Sequence, residues 1–196
     1  MPGPHAAALR LLAHPAAPCA EGLQLAVVLV PDGAGWRLRY TLTGDLNALA
    51  IPAPLPPGPA DGLWQHTCFE AFVGTAGSTA YREFNFSPSG QWAAYRFSDE
   101  RARDPAAERN SPPPAITCER SADTLDLQVW LPPALLPEPA HDARLKIGLN
   151  AVIEAREGQL SYWALHHPRA DRPDFHHASG WTHRLLPPPF ALQSPA

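Results

Sequence analysis

Between Thr67 and Phe97 apolar and polar residues alternate with the period of two that a strand imposes on its side chains. From Cys68 to Val73, Phe69, Ala71 and Val73 share one face, and Cys68, Glu70 and Phe72 the other. The small residues 74–78 suit a hairpin connection. From Tyr81 to Phe86 the faces are Arg82, Phe84 and Phe86 against Tyr81, Glu83 and Asn85. Ser87-Pro88-Ser89-Gly90 places Pro and Gly where a type I turn prefers them. A plain turn there predicts that Ala93, Tyr95 and Phe97 join the phenylalanines on a core face. Trp92, Ala94 and Arg96 then stand with Glu70, Tyr81, Glu83 and Asn85 on a polar one. This register buries Tyr95 and Phe97 and leaves Arg96 solvated. A left-handed Gly90 would instead form a bulge, and a one-residue slip would send Trp92 to the core.

The same pattern extends through the chain. Leu9 to Ala13 predicts a short edge strand. Leu23–Val30 and Trp36–Thr43 form a hairpin across Pro31-Asp32-Gly33, with Trp36, Leu38, Tyr40 and Leu42 inward. Residues 52–59 read as a proline-rich connector. The polar stretch 98–114 is the longest loop, with a helical turn near Ala106–Arg109, and loops of that length are usually functional or mobile. Ile116–Arg120 and Thr124–Leu131 form another hairpin, and Pro132–Leu136 a short helix with proline in its first turn. Leu145–Glu154 pairs with Leu160–His167, which in the plain register sets Asn150 opposite Trp163. A polar loop, Pro168–Ser179, precedes a last strand at Trp181–Leu186. Ten or eleven short strands with turn signals between them predict an all-β chain. The expected form is a two-sheet antiparallel β-sandwich, jelly-roll or immunoglobulin-like. It makes one domain with its core at about 9–186 and a loose proline-rich tail at 187–196.

Composition agrees with many short strands. The 196 residues include 25 prolines, far above the average of about 5%, and they cluster between the apolar runs. The net charge of -4, with Lys146 the sole lysine, argues against a nucleic-acid surface, which needs clustered cations to displace counterions. The longest apolar run, Leu25–Val30, falls far short of the roughly 20 residues of a membrane-spanning helix. Cys19, Cys68 and Cys118 are odd in number and widely spaced, which fits a reducing compartment. Met1 to Ala20 lacks the apolar stretch of a signal peptide, so a cytoplasmic protein is expected.

Three groups of residues carry candidate chemistry. The first is the polar–aromatic face of Glu70, Glu83, Asn85, Trp92 and Arg96, with Asn150 and Trp163 nearby. Flat rings stack on sugar CH faces while acids and amides bond hydroxyls, following the general logic of ligand pockets. The ordinary alternative is a solvated sheet face with a Glu–Arg pair through Arg96 or Arg82. Glu70 and Glu83, read as direct cross-strand neighbours, also make a glycosidase-like carboxylate pair thinkable. The second group is His166, His167, His176 and His177 with Asp171 and Asp174, suited to zinc, iron or haem. It lacks a known metal spacing, and such loops often bond their own backbone instead. The third is Trp64-Gln65-His66, able to rim a pocket or to plug one end of the fold. No phosphate loop or nucleophile elbow is present.

DGLWQHTCFEAFVG at 61–74, YREFNFSPSGQWAAYRF at 81–97 and LSYWALHHPRADRPDFHH at 160–177 resemble bacterial DOMON-like domain proteins, relatives of the family 9 carbohydrate-binding modules. The resemblance spans about Leu9 to Leu186. It implies a β-sandwich from a superfamily that binds sugars or haem, with Trp64, Trp92 and Trp163 as the motif tryptophans able to flank a sugar. Haem-binding relatives hold iron with Met and His. Met1 is the one methionine here, which leaves a two-histidine version through His166 and His176.

The expectation is therefore a non-catalytic module for a small, carbohydrate-like polar ligand, with no cofactor. Glu70, Glu83, Asn85 and Arg96 bond hydroxyls, with Asn150 and Asp174 beside them. Trp64 or Trp92 stacks on the ligand, and His66, His166 and His176 line the rim.

Overall fold

The computed structural model describes residues 7–17, 19–108, 111–137 and 144–185. The proline-rich tail expected from Pro187 lies outside the described residues. Among these there are thirteen strands: Leu9–Ala13 (β1), Gln24–Asp32 (β2), Gly35–Thr43 (β3), Gly58–Pro59 (β4), Cys68–Thr75 (β5), Tyr81–Phe86 (β6), Gln91–Asp99 (β7), Ala102–Arg103 (β8), Ala115–Arg120 (β9), Thr124–Leu131 (β10), Leu145–Glu154 (β11), Leu160–Ala164 (β12) and His183–Leu185 (β13). Helical structure among the described residues is limited to single 3₁₀ turns, one of them the proline-led turn Pro133–Leu135.

The strands join into one curled, mixed sheet in the order β4-β7-β6-β5-β11-β12-β1-β2-β3-β10-β9, with β13 attached to β11 and β8 to β7. All pairings are antiparallel except that of β4 with β7. The all-β expectation therefore holds. The two sheets expected of a sandwich are hydrogen-bonded into one through β1, whose Leu9–Leu11 pair with β2 while Leu12 and Ala13 pair with β12. The curl brings Val27, Leu38, Tyr40 and Leu127 from one half against Phe69, Phe84, Leu149 and Ile153 from the other in one apolar core. Alternation explains this directly, because each strand gives every second residue to that core.

Two hairpins differ from the plain register, for one reason. Gly90 has φ 91° and Gly158 has φ 85°, the left-handed region that glycine enters without steric penalty. In the first, Gly90 N–H donates to Ser87 O and Ser87 N–H to Gln91 O. This is a type I turn closed by a glycine bulge. The extra residue shifts parity, so Phe86 pairs with Trp92, Glu83 with Tyr95 and Tyr81 with Phe97. Trp92 and Arg96 consequently share the side of Phe84 and Phe86, while Tyr95 and Phe97 share the side of Glu83 and Asn85, the reverse of the expected arrangement. Around Gly158 the shift sets Asn150 opposite Ala164. Trp163 turns into the core at 4% exposed, its Nε1–H donating to Ser161 Oγ at 3.1 Å.

Candidate functional site

The face of β5, β6, β7, β11 and β12 turned away from the main core forms the floor of a cleft of about 830 Å³. Glu70, Phe72, Glu83, Tyr95, Phe97, Val152 and Tyr162 rise from the sheet. Asp61 to Gln65 close one side, Arg101 and Arg103 another, and Pro173 to His176 a third. Beneath this cover Phe72, Tyr81, Ala93, Tyr95, Phe97 and Trp181 pack as a second apolar cluster. The covering segment is pinned by Trp181. Its ring stacks on Phe72 and leans on Tyr81, and its Nε1–H donates to Phe175 O at 2.9 Å. Glycine makes room for it, since a Cβ on Gly148 would lie 2.4 Å from Trp181 Cδ1.

Polar residues form a row across the floor. Glu70 on β5 is flanked by Asn85 on β6 and Asn150 on β11. Glu70 is 2% exposed and Glu83 5%. The two acids are diagonal rather than direct neighbours, because Glu83 stands opposite Phe72. Asn85 Nδ2–H donates to Glu83 Oε1 at 2.8 Å. The Glu70 carboxyl has no hydrogen bond among the described residues, and Asn85 Oδ1 and Asn150 Nδ2 are likewise buried without a partner. Buried polar groups are normally satisfied; here Asn85 Oδ1 and Asn150 Nδ2 are not, and between them the Glu70 carboxyl opens to the cleft. Burial, then the charge of Glu83, pushes Glu70 well above the usual carboxylate range. Burial pushes Glu83 up to about 7, against the pull of Asn85, Arg101 and Arg103.

The walls are held by charge and hydrogen bonds. Asp174 accepts from Arg101 at 2.8 Å and Arg169 at 2.9 Å. Burial opposes these bonds but is outweighed, so Asp174 stays below its usual range. Arg103 bonds both oxygens of Glu108, reaches Asp61 at 3.4 Å and lies over the Tyr95 ring at 4.3 Å. Arg101 N–H donates to Tyr81 Oη, which sits 2.6 Å from His176 Nδ1. The tautomer that serves both neighbours has the phenol donating to Nδ1 and the His176 proton on Nε2, toward the Glu83 carboxyl. That nitrogen lies 3.7 Å from Glu83 Oε2. The approach is not an ion pair. Burial, then Arg101, pushes His176 down to about 4, and the ring is neutral.

Of the residues singled out from sequence, the cleft gathers Trp64, Glu70, Glu83, Asp174 and His176. Asn85 and Asn150 flank Glu70 on the neighbouring strands, buried, and do not line the cleft. His66 is exposed beside the rim, its Nδ1 2.8 Å from Glu154 Oε2. Trp92, Arg96 and Trp163 point to the other side of the sheet and take no part. His166 is exposed and does not line the cleft, so His176 is the member of that pair found there. No group of three His, Cys, Asp or Glu side chains able to hold a metal occurs among the described residues. Sequence reading missed Tyr95 and Phe97, placed in the core by the wrong parity. It also missed Arg101 and Arg103, whose one signal was the long 98–114 loop, and Tyr162 and Phe175.

No family model matches the chain, and no curated protein is similar to it in sequence. Its fold is that of solved carbohydrate-binding proteins. One is a putative carbohydrate-binding protein from Bacteroides uniformis, with TM-score 0.60 and 14% identity over 88% of this chain and 84% of that one. A family 9 carbohydrate-binding module from Caldicellulosiruptor kristjanssonii, solved with cellotriose, has TM-score 0.56 and 7% identity over 88% and 79%. The same module with glucose has TM-score 0.56 and 7% identity over 86% and 80%.

Proposed function

We propose that this chain is a non-catalytic carbohydrate-binding domain of the DOMON-like kind, and that its cleft takes a sugar. One observation carries the reading. Glu70, buried and with no hydrogen bond to its carboxyl among the described residues, lines an open cleft beside Phe72, Tyr95 and Tyr162. Apolar rings around a few converging polar groups are what a small polar ligand needs. Glu70, Glu83 and the Nε2–H of His176 bond hydroxyls, and Trp64, half exposed at the rim, stacks on the ring. The sugar complexes solved for proteins of this fold support the reading. We also propose a reducing compartment such as the cytoplasm, with which the free Cys19, Cys68 and Cys118 are compatible.

Calorimetric titration against a broad panel of mono- and disaccharides tests it. Binding is expected, weakened at least about tenfold in Trp64→Ala and Glu83→Ala. Trp92→Ala, on the far side of the sheet, should bind as the parent does. Silence across the panel overturns the reading.

A second reading, glycoside hydrolysis by Glu70 and Glu83, draws on their shared face and on the lack, among the described residues, of an arginine bonded to either. Diagonal cross-strand neighbours stand about 7–8 Å apart at the backbone, from which two glutamate side chains can reach the roughly 6.5–9.5 Å between the carboxyls of inverting pairs. Release of nitrophenol from aryl glycosides, abolished by Glu70→Gln, tests it. No turnover on any of them removes it.

A further inference from the structure

We propose that the ligand carries a protonated amine, as an amino sugar does, and that Glu70 and Glu83 receive it. The inference rests on the sugar reading and narrows its ligand class.

Charge bookkeeping around the cleft leads there. Arg101 and Arg169 are spent on Asp174, and Arg103 on Glu108 and Asp61. His176 is neutral. Glu70 and Glu83 are left as two buried acids on one floor, neither bonded to a cation among the described residues, and both open to the same cleft. Two carboxylates so placed cannot both ionise without a counter-charge, because each adds to the other's desolvation cost. A neutral hydroxyl supplies a hydrogen bond but no charge. An ammonium supplies both, and charge-assisted bonds are roughly twice as strong as neutral ones. It also brings three N–H donors. The acceptors open to the cleft are the carboxyls of Glu70 and Glu83.

The test compares the 2-amino-2-deoxy forms of glucose, galactose and mannose with the parent sugars and their N-acetyl derivatives. Titrations are run at low salt and about pH 7, where the amine is charged. At least one amino sugar should bind about tenfold or more tighter than both its neutral counterparts. Glu70→Gln and Glu83→Gln, whatever they do to sugar binding as a whole, should each bring the ratio of amino-sugar to parent-sugar affinity to within about threefold of one. Both substitutions keep shape and remove a buried charge, so circular dichroism should show the fold intact. Equal binding of amino and parent sugars overturns the inference and leaves the sugar reading standing, as does a preference that survives both substitutions. If no sugar of any kind binds, the sugar reading fails and takes this inference with it.

Discussion

Glu83 shows at the scale of one residue what the cleft costs the fold. Its carboxyl titrates near 7 against an ordinary 4.5, so the folded state holds the proton more tightly than the unfolded chain. Stability is therefore lost as pH rises from about 4.5 to 7, and the loss is complete above that. His176 works the other way. Its pKa falls from 6.5 to about 4, so the unfolded chain takes up the proton first, and stability rises with pH between those values. The two windows overlap, so the wild-type profile alone does not separate them. The difference between Glu83→Gln and wild type does. Urea midpoints should coincide near about pH 4 and favour the variant by on the order of 2 kcal/mol at about pH 8. An equal gain at both pH values would show that the benefit is packing and not charge. Binding a cation to Glu83 should give wild type back much of what the variant gains.

Among the elements, glycine decides which residues meet. Gly90 and Gly158 each add a bulge that reverses the parity of the strand after it, and the cleft exists because Gly90 does so. Gly90→Ala should cost about 1–2 kcal/mol, the penalty of a left-handed φ on an ordinary residue, measured as a shift in denaturant midpoint. Sugar binding by the folded fraction should be preserved. Gly148→Ala should do the opposite. A Cβ there displaces the Trp181 ring and with it the wall from Pro173 to His176, so affinity falls about tenfold or more, while β11 itself stays paired. Loss of affinity in proportion to the unfolded fraction alone would contradict this. These positions also separate what was legible in the chain from what was not. Strand identity, and the inward faces of β3, β5, β10 and β11, follow from alternation because a period of two survives in any partner's company. Glu70, Glu83, Asp174, His176 and Trp64 could be singled out in the chain because acids and rings on one alternating face, and His and Asp crowded into one loop, stand out; that the two acids are buried could not be read there. The partners of β7 were not legible. One residue in a turn sets them, and Ser-Pro-Ser-Gly is compatible with both counts. Arg101 and Arg103 were illegible for a different reason, since their place depends on Asp174, 73 residues on from Arg101, and on the Tyr95 ring of β7.

Over the whole molecule, one strand holds the curl together. β1 pairs with β2 through its first three residues and with β12 through its last two. Leu11, 1% exposed, lies in the core that both halves build. Because neither half encloses that core alone, opening one exposes the apolar face of the other, and the chain should unfold in a single step. Far-UV dichroism and tryptophan fluorescence are expected to trace one curve, and amides of β3 and β5 to exchange with the same opening free energy. Leu11→Ala should lower that one midpoint by about 3 kcal/mol, the usual cost of such a cavity, without splitting it. The cleft lies wholly on the half that carries β5, β6 and β11, which makes a bound ligand a probe of the coupling. If the halves share one transition, a saturating sugar raises the stability measured at β3 as much as at β5. A ligand that protects β5 and β11 while β3 opens at its unliganded free energy would mean that β1 joins two separately folding halves.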